Sequence, residues 1–138
     1  MQVTPYLFFP GTCEEAVSFY AETLGLPKPR FFYFEAMPPE EQARMPGVSP
    51  KSVMNCALDY QGQMLFLASD DTTPAPAAMA GCSIHLALDA VDDAHRVFAT
   101  FASGGEIGMP MAETFWTPAF GTVKDRFGIR WMVSVTDS

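Results

Sequence analysis

The side chains of this sequence that could do chemistry are few. Two histidines, His85 and His95, and three cysteines, Cys13, Cys56 and Cys82, are its only imidazole and thiol groups. No CxxC spacing gathers them, so neither a zinc site nor a disulfide framework is indicated. The closing run Ile129–Val135 (IRWMVSV) reads as a strand. Alternation puts Trp131, Val133 and Val135 on one face and Arg130, Met132 and Ser134 on the other. The same parity sends Ile84, Leu86 and Leu88 to the core, with Ser83, His85 and Ala87 facing away from it. In the run Ser52–Tyr60 it sends Met54, Cys56, Leu58 and Tyr60 to the apolar face and Asn55, Ala57 and Asp59 to the opposite one. Asn55, His85 and Arg130, with Phe66 and Met132, therefore compose a mostly apolar pocket holding a few polar groups, the make-up of a small-molecule site. A guanidinium beside an imidazole favours a carboxylate or other oxyanion on an otherwise apolar ligand.

Each residue also has a plainer reading. Arg130 can pair with Asp125 or Glu113 across a hairpin. Asn55 can satisfy backbone at a strand edge, and His85 can be a surface or pocket histidine without partners. His95 falls on a helix and faces solvent. Phe115 and Trp116 form either a plug in the core or an aromatic wall over a ligand. Cys13 opens a helix, where the dipole favours a thiolate, but Glu14 and Glu15 oppose that, so it reads as inert. Nine methionines suit an adaptable interior.

The elements that must position these residues follow in order. Residues 3–9 (VTPYLFF) read as a strand. Thr12 and Glu15 have capping-box spacing before an amphipathic helix over 13–24 that Gly25 ends. A strand is expected at 31–35 (FFYFE), then a proline-rich loop over 36–51 with one helical turn at Pro39–Arg44. Strands at Ser52–Tyr60 and Gln63–Ala68 meet at Gln61–Gly62. Residues 69–81 (SDDTTPAPAAMAG) read as a linker. The pattern then restarts: a strand at Cys82–Asp89, an acid-capped helix at 92–103 stopped by Gly104–Gly105, a strand at Glu106–Met109, the aromatic loop, and a hairpin of Phe120–Asp125 with Ile129–Val135. The second half repeats the first as strand, helix, strand, strand, strand. Each half exposes one sheet face that needs cover.

At 138 residues, with 49% hydrophobic and 17% charged residues, the chain is a globular single domain spanning 1–138. Module one covers about 1–68 and module two about 82–138, with the linker 69–81 between them. A net charge of −8 without a basic cluster argues against nucleic acid and anionic membranes. No apolar run reaches membrane-span length and no signal peptide is evident, so a reduced, cytoplasmic protein is expected.

The stretches TPYLFFPGTCEEAVSFYAETLG (Thr4–Gly25), SVMNCALDYQGQMLFLASD (52–70) and FWTPAFGTVKDRFGIRWMV (Phe115–Val133) carry a resemblance. The duplicated βαβββ arrangement resembles the vicinal oxygen chelate superfamily of glyoxalases, bleomycin-resistance proteins and extradiol dioxygenases, and within it the PhnB-like branch. The resemblance implies an α+β fold of two βαβββ modules forming a curved mixed sheet with a concave site. It also implies a homodimer, paired side by side or by module exchange. Metal-dependent relatives place four ligands at positions that correspond here to Pro5, Phe66, Ser83 and Met132. These are not hard-metal donors, and His85, two residues beyond Ser83, would be a ligand without partners. The implied function is a metal-free, cofactor-free protein binding an apolar or aromatic, possibly acidic, small molecule through Asn55, Phe66, His85, Phe115, Trp116, Arg130 and Met132. The alternative is a metal-dependent glyoxalase- or dioxygenase-type enzyme, with no catalytic residue identified. A methyltransferase activity, a name carried by relatives, is not expected, since no glycine-rich loop follows a strand to hold a methyl donor.

Overall fold

A computed structural model describes residues 1–136. The chain divides into two compact units, Met1–Pro76 and Ala77–Ser138. Unit 1 contains β1 (Tyr6–Phe9), α1 (Cys13–Leu24), β2 (Phe32–Tyr33), α2 (Pro39–Ala43), β3 (Val53–Tyr60) and β4 (Gln63–Asp70). Its sheet order is β1-β4-β3-β2, with β1 parallel to β4 and the other pairs antiparallel. Unit 2 contains β5 (Ile84–Leu88), α3 (Val91–Ala102), β6 (Glu106–Ala112), β7 (Phe120–Lys124) and β8 (Arg130–Val135), in the order β5-β8-β7-β6. The two topologies are the same, which is the βαβββ duplication expected from the element order.

In each unit the helix covers one sheet face. Ala16, Val17 and Tyr20 of α1 pack with Leu7, Phe9, Cys56, Leu58 and Phe66, all buried. Phe101 of α3 stacks on Trp131 at 4.6 Å between centroids, among Val97, Phe98, Val123 and Val133. Helix α1 ends as Gly25 implies. Gly25 takes φ 68°, its N–H donates to Glu22 O, and Leu26 N–H donates to Ala21 O.

Four expectations need correction. The strand at 31–35 stops after Tyr33, and Phe34–Ala36 form a 3₁₀ turn. Phe34 N–H still reaches Ser52 O and Glu35 N–H reaches Pro50 O. Pro50 has no N–H to return, so the ladder ends there. Strand β4 runs on to Asp70, so the linker begins two residues later than expected. Thr12 makes no side-chain cap bond; the first N–H of the helix, that of Cys13, donates instead to Asp70 Oδ1 at 2.9 Å. Tyr60, expected on the packed face, is 47% exposed at the end of β3.

Candidate functional site

On the open face of unit 2, β8 pairs with β7 and with β5 without slips, while β6 pairs with β7 through two register shifts. Phe120, Thr122 and Lys124 of β7 sit opposite Ser134, Met132 and Arg130 of β8. On the other side of β8, His85 pairs with Met132. Because Trp131, Val133 and Val135 are buried against α3, Arg130, Met132 and Ser134 must face away from it. The parity expectation therefore holds here for His85, Arg130 and Met132. A cavity of about 460 Å³ lies at one end, lined by Arg130, Met132, Thr122, Lys124, Glu106 and Gly108. Lys124 pairs with Glu106 at 3.3 Å, leaving the guanidinium as the cavity's uncommitted cation. Arg130 has no ion pair among the described residues. Asp125 cannot serve it, because that buried carboxylate already accepts the N–H groups of Phe127 and Ile129 and the indole N–H of Trp131 at 2.8 Å.

The opposite end of the face is aromatic. Trp116 meets Phe120 edge-on at 5.4 Å and Phe115 at 4.8 Å. Their loop is pinned at its base. Thr114 N–H donates to Thr117 O, and Thr114 Oγ1 accepts from Thr117 N–H. Thr117 Oγ1 in turn donates to Val135 O and accepts from Val135 N–H. Phe115 is 97% exposed and Trp116 49%, so this pair is not a core plug. Between the two ends, His85 Nε2 lies 2.8 Å from the buried Ser134 hydroxyl. That bond fixes the ring and leaves Nδ1 as its uncommitted nitrogen. Arg130 and Ser134 are four residues apart on one strand, roughly 13 Å at strand spacing.

Two expected site residues are in unit 1. Asn55 is exposed on β3, and its amide reaches the Tyr6 hydroxyl at 3.5 Å. It lines a second cavity of about 510 Å³ with Lys28, Arg30, Phe32 and Asp59. Phe66 is a correction: it is 3% exposed, edge-on to Tyr20 of α1, and belongs to the core. The cause is a bulge. Leu58 pairs with Phe66 but Asp59 pairs with Met64, so Leu65 is an extra residue. It flips the phase of everything counted from Gly62. Of the four positions that the resemblance pointed to as ligand-equivalent, Ser83 and Met132 line the unit 2 cavity, Phe66 is core, and Pro5 accepts Leu67 N–H through its carbonyl. Among the described residues no three His, Cys, Asp or Glu side chains converge. Parity could have pointed to Ser134 as the partner of His85, since both were placed on one face. The PKPR run at 27–30 was the available signal for the second cavity.

Cys13 and Cys56 are buried with their sulfurs 3.8 Å apart, and Cys82 is exposed. The hydrogen bond to Cys56, together with burial, pushes the Cys13 thiol well above its ordinary range, so it is a neutral thiol. Its position at a helix start does not make it reactive.

Residues 2–133 match the Glyoxalase/Bleomycin resistance protein/Dioxygenase superfamily. The chain belongs to this superfamily. It is similar to the protein YjdN of Escherichia coli strain K12, with 31% identity over 98% of this chain and 95% of that one. The crystal structure of PA1353 from Pseudomonas aeruginosa superposes with a TM-score of 0.85 at 35% identity, covering 100% and 99% of the two chains. The Bacillus cereus PhnB protein, which carries the name "putative 3-demethylubiquinone-9 3-methyltransferase", shares the fold at TM-score 0.79 and 20% identity, covering 99% and 100%. Superfamily membership thus accounts for the duplicated βαβββ topology and for a helix-free face in each unit.

Proposed function

We propose that this superfamily member binds, without a metal, an elongated apolar or aromatic acid on the open face of unit 2. The observation that carries the reading is the arrangement along that face. An unpaired Arg130 lies at one end, His85 held by Ser134 lies in the middle, and an exposed, pinned Phe115–Trp116 pair lies at the other. The guanidinium and the free imidazole nitrogen address an oxyanion, and the rings offer stacking area at low entropic cost. Support for metal independence is chemical. Beside His85 on that face stand Met132 and Ser134, and a thioether and a hydroxyl are poor partners for a hard divalent ion. The methyltransferase name of the Bacillus cereus relative is not carried over, because no glycine-rich loop follows a strand to hold a methyl donor. The same proposal includes a cytoplasmic homodimer; the exposed Ile107 and Met109 on edge strand β6 are apolar surface available for pairing. Light scattering at micromolar concentration is expected to give twice the chain mass of 15.1 kDa.

The test is a titration with 2-naphthoate followed by NMR. Saturable shifts of the His85 ring, the Arg130 side chain and the Trp116 indole are expected, with no change on adding a chelator. Binding that requires an added divalent ion, or that leaves these three groups unmoved, contradicts the proposal.

A further inference from the structure

The chain carries eight basic residues against sixteen acidic ones, and most of the eight are committed. Arg44, Lys51, Arg96 and Lys124 pair with Glu41, Glu35, Asp93 and Glu106. Arg126 stacks over the Phe127 ring at 4.5 Å. Three remain without an ion pair among the described residues: Lys28, Arg30 and Arg130. All three line cavities, Arg130 in unit 2 and the other two together in unit 1. Lys28 and Arg30 belong to the run Pro27-Lys28-Pro29-Arg30. Each proline fixes its own φ and holds the residue before it extended, so the segment is stiff. Both basic side chains line one cavity. The two cations are thereby presented together, at little entropic cost, to a cavity of about 510 Å³ whose other walls include Phe31, Phe32, Asn55 and Asp59.

The geometry points to a second binding site in unit 1, for a planar aromatic ring bearing one phosphate-type dianion. Two adjacent cations repel each other, and in a cleft their field focuses on one place, so a dianion suits them better than a carboxylate. The Arg30 fork and the free amide hydrogen of Asn55 supply directional donors to the same oxyanion. Phe31 and Phe32, the latter 46% exposed, flank the cavity as stacking surface. Asp59 faces the same space as the one carboxylate. It opposes a second anionic group and favours a hydroxyl donor on the far end of the ligand. All of its lining residues come from unit 1.

The test uses phenyl phosphate on the full chain at low salt, read by amide NMR shifts and by calorimetry. Saturable shifts are expected at Lys28, Arg30–Phe32 and the Asn55 side-chain amide, with phenol and inorganic phosphate each binding at least about tenfold more weakly. Lys28→Ala and Arg30→Ala are each expected to weaken binding about three- to tenfold. Asp59→Asn is expected to tighten it about threefold, an effect of opposite sign that general loss of structure cannot produce. Arg130→Ala leaves these shifts in place. The inference is overturned if these amides stay unmoved, if the Lys28→Ala/Arg30→Ala double variant binds as well as the parent, or if Arg130→Ala abolishes the response. The last result would assign the phosphate to unit 2.

Discussion

The two hairpins of this duplicated chain, β3–β4 in unit 1 and β7–β8 in unit 2, are joined by similar glycine-containing turns yet present different residues to their open faces. In unit 2 the pairing runs from Lys124↔Arg130 to Phe120↔Ser134 without interruption, and Met132 looks away from the helix. In unit 1 one inserted residue, Leu65, breaks the pairing between Leu58 and Asp59. Phe66, counted to the same place from its turn, becomes a core ring against Tyr20. The bulge shifts the count by one residue, so Phe66, opposite Leu58, takes in unit 1 the core place that Trp131, opposite Val123, takes in unit 2. The units also differ in what their buried aspartates hold. Asp70 joins the start of α1 to the start of β3 through Cys13 N–H and Val53 N–H, whereas Asp125 closes the turn before β8 and anchors Trp131.

The largest effect that could break this comparison is at the paired positions themselves. Phe66→Ala is expected to cost about 3–5 kcal/mol of stability by leaving a cavity, and Met132→Ala less than about 1 kcal/mol. Chemical denaturation distinguishes them, and equal losses would mean the two hairpins are in phase after all. Next come the aspartates. Asp125→Ala strands two backbone donors and an indole, an expected loss of roughly 3 kcal/mol, and Asp70→Ala strands two donors, roughly 2 kcal/mol. Hydrogen exchange is expected to rise at Ile129 in the first variant and at Cys13 and Val53 in the second.

A smaller effect sharpens the contrast through pH. The Cys13 thiol is held above its ordinary value by Cys56 and by burial, and unit 2 has only the exposed Cys82. A raised folded-state value means that the folded form keeps a proton the unfolded form gives up. The stability contribution is therefore complete below the unfolded value, about 8.5 for a thiol, and falls as pH rises past it by up to about 1.4 kcal/mol per unit. Denaturation from pH 7 to 10 is expected to show this alkaline decline, reduced in Cys13→Ala. A flat profile in the parent would contradict the assignment.

Much of this was legible in the residues, and the exceptions have physical causes. Helix α1 was readable because Ala16, Tyr20 and Gly25 carry spacing and stop together. His85, Arg130 and Met132 were placed by parity because their strands pair without slips. Phe66 was misplaced because a bulge leaves no mark in a pattern of Met, Leu and Phe that suits either phase. The Thr12 cap did not form, and the N–H of Cys13 at the helix start is held by Asp70, a carboxylate remote in sequence. The freedom of Arg130 depended on Asp125 being consumed by backbone and indole donors, which is tertiary information. Lys28 and Arg30 went unnoticed because a proline-rich connection has no periodicity to read, though its stiffness is what makes it matter.

The most direct measurement of the central claim is a pair of variants on the open face of unit 2, each read for 2-naphthoate affinity by calorimetry and for melting temperature. Arg130→Ala and Trp116→Ala are each expected to weaken binding about tenfold, with the melting temperature moved by less than about 2 °C because Arg130 is exposed and Trp116 is half-exposed. A Trp116→Ala protein that binds as the parent does but melts many degrees lower would make the aromatic loop a structural brace. That result would contradict the binding site proposed for this face.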